Sequence, residues 1–164
     1  MTQLNGMNAD DLRDLVAKAT ADSTVVDRDP VVVARWLGGD DCEVTFPSGQ
    51  PIRLGGDQPS AMRMLLATLA ACDVDLIATR ATLLGIEVDS LTVEASGHFN
   101  VSRYLGVPTN IDPGYQRIAY TVRLRARGAT ADQLAQLREA CEVASPVGDT
   151  LRRSVGLTMR FESV

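Results

Sequence analysis

A chain of 164 residues, 45% hydrophobic and 23% charged, is long enough for one domain with a proper core and no disulfide staples, and its composition excludes disorder throughout. The formal net charge of -5 argues against a general nucleic-acid binder, which needs a basic footprint. Three cysteines, Cys42, Cys72 and Cys141, are an odd number, and with no N-terminal signal pattern and no membrane-spanning apolar run they point to a reducing cytoplasm with free thiols. One histidine, and no metal-ligand spacing, argue against a zinc site.

Residues 9–20 read as an amphipathic helix, capped by Asn8 or Asp10, with Leu12, Leu15, Val16 and Ala19 on one face. Residues 1–30 are thus expected to form a helical arm, closed by the break at Asp29-Pro30, and 31–164 the main domain. Val31 to Leu37 is β-branched and contains Trp36, which predicts a strand. Cys42, Val44 and Phe46 alternate with polar residues in a second strand, and Ile52 to Leu54 is a short third.

From Pro59 to Gly85 the sequence predicts a helix roughly 39 Å long. Small and apolar residues fall on every face, which predicts a helix buried all round. Such a helix exceeds what one small domain covers, so a second subunit is expected over part of it. Gly85 stands where a C′ glycine ends a helix.

Leu91, Val93 and Ala95 alternate in a further strand. Residues 99–113, with Gly106, Pro108 and Pro113, have no period and read as a loop. Ile118, Tyr120, Val122, Leu124 and Ala126 alternate with polar residues in the clearest strand of the chain. Thr130 to Gln133 is a capping box, and the helix after it puts Leu134, Leu137, Cys141 and Ala144 on one face. Ser145 as N-cap and Pro146 at N1 open a short helix over 147–154, and Leu157, Met159 and Phe161 predict a last strand. Strands in antiparallel runs, segregated from helices, give an α+β fold.

Cys72, in the middle of the long helix, is the first candidate for chemistry. A free cysteine in a buried helix is usually core filler. A reactive one needs a cation or a helix N-terminus, and Arg35 and Arg63 are the arginines available by position. Cys42 and Cys141 both fall on apolar faces. The arginine stripe at 117, 123, 125 and 127 reads as a solvated strand face, with anion binding as the sharper alternative.

Three segments together resemble the OsmC/Ohr family, the osmotically inducible and organic hydroperoxide resistance group. They are Leu65 to Cys72, Leu84 to Glu94, and Ser145-Pro146-Val147-Gly148-Asp149-Thr150-Leu151, with Gly114 to Ile118 also similar; the likeness extends over about residues 31–164. It implies an OsmC-like α+β fold, antiparallel sheets wrapped on a long central helix in an intertwined homodimer. It also implies a cysteine-based peroxide reductase without a cofactor, in which a peroxidatic thiol becomes a sulfenic acid and a second cysteine resolves it. Cys72 matches the first position. The second falls on Ser145, a departure from the pattern that leaves three readings. Cys72 acts alone with an external thiol reductant; or Cys141 resolves it from one turn away; or the dimer has lost peroxidase activity and binds a small apolar ligand. For the peroxide reading the resemblance implies Cys72 as the catalytic cysteine, with Arg35 or Arg53, and Asp57, at the approximate positions of the family's activating arginine and glutamate; of the arginines, Arg35 is taken as catalytic. Arg63 and Tyr104 are then expected to bind substrate, Tyr104 with Arg103 from the loop at 99–113.

Overall fold

The computed structural model describes residues 3–163. An N-terminal hairpin, β1 (Gln3–Leu4) and β2 (Met7–Asn8), leads into helix α1 (Ala9–Ala21). Asn5 and Gly6, both at positive φ, make the turn, as an Asn-Gly pair does between short antiparallel strands. The Asn8 side chain caps α1 by accepting from the Asp10 and Asp11 amides.

A three-stranded antiparallel sheet follows, in the order β3 (Val33–Gly38), β4 (Asp41–Thr45), β5 (Ile52–Leu54). Gly55, after β5, is a position only glycine fits: φ is +89° and a Cβ there would run into the Asp40 carbonyl. Ser60 then caps the central helix α2 (Ala61–Leu83), its hydroxyl accepting from the Arg63 amide at 3.4 Å. The second sheet is a long hairpin of β6 (Ser90–Phe99) and β7 (Tyr115–Arg125). At its base Asp89 accepts from the Arg127 amide at 2.7 Å and from Arg127 Nε at 3.0 Å, bonds that hold the Asp89 carboxyl below its ordinary value. At its tip the Tyr115 ring meets Phe99 edge-on at 5.1 Å, and Gly97 leaves it room. The Tyr115 hydroxyl donates to the Met62 carbonyl at 2.7 Å and so ties the hairpin to the start of α2.

Helix α3 (Ala131–Glu142) begins with the Thr130–Gln133 capping box, both reciprocal bonds present. Helix α4 (Pro146–Arg152) is capped by Ser145 with proline in its first turn. The core lies where α2, the β6–β7 hairpin and α3 meet: Ile77, Ala81, Ile86 and Leu137, with Leu91, Leu124 and Cys141 packed against them. This is the expected α+β class.

Three expectations change. Leu157, Met159 and Phe161 lie in no strand, and their side chains are 95%, 86% and 87% exposed. The alternation is there, but a strand also needs a neighbour for its amides, and among the described residues no sheet edge pairs with it. The central helix is not buried all round. Leu69, Asp73, Ile77 and Ala81, spaced by four, are buried, while Ala67, Ala71, Val74 and Asp75 on the other side are exposed. The first sheet likewise leaves large apolar side chains open, Trp36 at 74%. The N-terminal hairpin was not visible as strands, because two-residue strands carry no alternation.

That hairpin is fastened to the body through Asn5, beside weaker contacts of Thr82 with the Leu4 carbonyl at 3.5 Å and of Thr79 with Met7 Sδ at 3.8 Å. Asn5 Nδ2 donates to Thr82 Oγ1 at 3.0 Å and to the Ile86 carbonyl at 2.9 Å, and Asn5 Oδ1 accepts from the Val88 amide at 2.8 Å. Asn5→Ala strips all three bonds and places alanine at φ 52°. The expected cost is about 2–4 kcal/mol, read as a lowered urea midpoint.

Candidate functional site

Cys72 faces the N-terminus of α4. Ser145 Oγ donates to Cys72 Sγ at 3.8 Å and accepts from the Gly148 amide at 3.1 Å. Ser145 is 2% exposed, so both bonds form away from bulk water. The local sequence dictates the arrangement. The serine is an N-cap, proline opens the helix, and Gly148 is required because a Cβ there would press on Ser145 Cβ and Oγ at 3.0 Å. Cys72 itself is half-buried, reachable by a small molecule.

Beside this pair lies a cleft of about 310 Å³ walled by Leu69 and Gly148 on one side and by Tyr115, Ile118, Arg117 and Arg152 on the other. Leu69 is on α2, one turn before Cys72. Arg152 Nη2 donates to the Glu142 carbonyl at 3.1 Å, which anchors its guanidinium near the cleft. Arg117 and Arg152 are the cations that line this cleft. Arg152 had no sequence signal beyond its place in the last turn of a short helix, and Arg117 was legible only as part of a solvated stripe.

The other candidates lie elsewhere. Arg35 Nη2 pairs with Glu43 Oε1 at 2.9 Å across the β3–β4 ladder, and the arginine is exposed. Arg63 is exposed in the first turn of α2, nine residues before Cys72 and so roughly 13 Å away along the axis. Tyr104 is exposed in the loop between β6 and β7, where Arg103 pairs with Asp112 at 3.2 Å. Among the described residues, none of the three is bonded to Cys72 or Ser145.

Cys141 is on another face of α2's surroundings. It packs with the core cluster, next to Asp73, whereas Cys72 points to Ser145. Burial pushes the Cys141 thiol up; Arg80 opposes that and Asp73 reinforces it. A resolving thiol attacks as thiolate, so this environment works against Cys141 in that role. Cys42 sits in the first sheet, in register with Trp36 and Leu54. No group of three or more His, Cys, Asp or Glu able to hold a metal occurs among the described residues, and no helix among them is long and apolar enough to cross a membrane.

The profile of the OsmC-like proteins matches residues 54–160, which include α2, the hairpin, α3 and α4. No curated protein matches the chain. Among solved structures, an OsmC-like protein from Mycoplasma pneumoniae superposes with a TM-score of 0.64 at 17% identity, covering 77% of this chain and 89% of its own. An OsmC-like protein of unknown function from Vibrio cholerae gives 0.62 at 11% identity, over 76% of this chain and 94% of its own. An organic hydroperoxide resistance protein from Legionella pneumophila gives 0.52 at 15% identity, over 76% and 90%. The fold is therefore the OsmC-like one. With the profile spanning well over half of its length, the chain belongs to the OsmC-like family.

Proposed function

We propose that this protein reduces organic or hydrogen peroxides through Cys72 by a one-cysteine mechanism. The observation that carries the reading is the Ser145 hydroxyl 3.8 Å from Cys72 Sγ, in the place of a second thiol. In the first step the Cys72 thiolate attacks one peroxide oxygen. An S–O bond forms, the O–O bond breaks, and the departing alkoxide takes a proton and leaves as the alcohol. Cys72 is now a sulfenic acid. Ser145 cannot displace its hydroxyl, so an external thiol does, releasing water and leaving a mixed disulfide that a second thiol reduces. Ser145 contributes a hydrogen bond that holds the sulfur in place at the start of α4.

The reading includes a homodimer. The uncovered stripe of α2, Trp36 on the first sheet, and the bare Leu157, Met159 and Phe161 are more apolar surface than a monomer leaves to water. In that dimer Arg35 from the second copy supplies the cation that Cys72 lacks in its own chain, with Arg63 and Tyr104 lining the substrate's approach. Residues 1–30 serve as an arm on the 31–164 domain, and a reducing cytoplasm provides the thiol. The name of the Legionella relative, an organic hydroperoxide resistance protein, agrees with this chemistry.

A second reading rests on one observation: among the described residues, no arginine is bonded to Cys72. On that reading the dimer keeps the fold, lacks peroxidase activity and binds a small apolar ligand. Turnover separates the two. With excess dithiothreitol, the full chain is expected to consume cumene hydroperoxide catalytically. Consumption no faster than that of dithiothreitol alone decides for the second reading.

A further inference from the structure

Asp73 follows Cys72 on α2 but faces a different space. It is 4% exposed, and its Oδ1 is fully buried with no hydrogen-bond partner among the described residues. A buried carboxyl oxygen without a donor is destabilising, so an unpaired one is an exception that needs a reason. The space beside it supplies one. Asp73 lines a cavity of about 420 Å³ between α2, β7 and α3, walled by Leu76, Ile77, Val122, Leu124, Leu134 and Leu137. That volume is in the range of small-molecule sites, and the pattern of apolar walls with a single convergent polar group is typical of them.

Tyr120, on the β7 wall, is 38% exposed, so its hydroxyl has access to water. Arg138 Nη2 pairs with Glu142 Oε1 at 3.4 Å, both exposed. Cys141, also on the wall, holds a thiol that burial keeps protonated, so it brings no second charge. Asp73 is left as the buried acceptor without a partner on a largely apolar wall, Glu142 being exposed and paired. A neutral donor would satisfy the hydrogen bond and leave the charge. A protonated amine satisfies both.

We propose that this cavity binds an apolar ligand bearing a primary amine, its ammonium on Asp73 and its hydrocarbon among the leucine and valine walls. The site is separate from the Cys72–Ser145 pair and does not rest on the peroxide reading.

The test is calorimetric titration of the full chain with 4-phenylbutylamine, beside 4-phenylbutanol and 4-phenylbutyrate, which share its apolar body. The amine is expected to bind at least about tenfold more tightly than either, the scale of one charge-assisted hydrogen bond. Asp73→Asn should remove that preference. Leu134→Trp, on a half-open wall, should abolish binding of the amine with the circular dichroism spectrum unchanged; it keeps the test intact if the Asp73 variant fails to fold. Equal affinity for amine and alcohol, no binding of the amine, or unchanged binding in folded Leu134→Trp protein would each overturn the proposal.

Discussion

Cys72→Ser is expected to lower the rate of peroxide consumption by on the order of 10³-fold or more, the scale on which covalent catalysts fall when the nucleophile is lost. Serine is close to cysteine in volume, and the site is half-buried, so the fold should persist and the loss will be chemical. The other thiols are internal controls. Cys141 is held protonated by burial, and Cys42 is built into the first sheet between Trp36 and Leu54. Cys42→Ser and Cys141→Ser should therefore leave the rate unchanged. Stopped-flow mixing of each reduced variant with cumene hydroperoxide makes the comparison. A rate that depends on Cys141 would instead revive the displaced-resolver reading.

Ser145→Cys is expected to change the product. Its new sulfur replaces an oxygen already 3.8 Å from Cys72 Sγ, and modest side-chain rotation closes such a gap to the S–S length of about 2.05 Å. After one equivalent of peroxide the variant should carry an intramolecular disulfide to Cys72, seen as the loss of two hydrogens by mass spectrometry. The wild type gains one oxygen instead. Recycling should shift as well, from any small thiol toward dithiols. The substitution also removes an N-cap that accepts from Gly148, at a cost of about 1 kcal/mol. A variant that still collects a sulfenic acid would mean that α4 does not present residue 145 to the cysteine during turnover.

Much of this arrangement was legible in the residues, because it depends on local rules. Thr130 with Gln133 and Ser145 with Pro146 are cap signatures whose geometry is set within four residues, and both form as written. The alternation in 115–125 fixed one face of β7. Gly55 and Gly148 have no such local signature; they are needed because Asp40 and Ser145 approach from elsewhere in the fold. The exposed side of α2 shows another kind of limit. Its sequence is apolar on both sides, and the chain itself covers only the stripe through Leu69 and Ile77; the homodimer proposed above would account for the rest. The alternation at 157–161 is likewise a face that no strand covers among the described residues. Within the site, Cys72 and Ser145 were legible from the resemblance. Arg117 and Arg152 were not, since only tertiary packing brings β7 and α4 to one cleft. Asp73 follows Cys72 in sequence, but the 100° step of a helix sends adjacent residues to different walls.

The central claim is that Cys72 is oxidised by peroxide and waits, as a sulfenic acid, for an outside thiol. Its most direct measurement is dimedone trapping. The reduced protein is treated with one equivalent of cumene hydroperoxide in the presence of dimedone, digested, and mapped by mass spectrometry. The account predicts a dimedone adduct on the peptide containing Cys72, absent when a small thiol is added first. An unmodified Cys72, or a Cys72–Cys141 disulfide in place of the adduct, would contradict it.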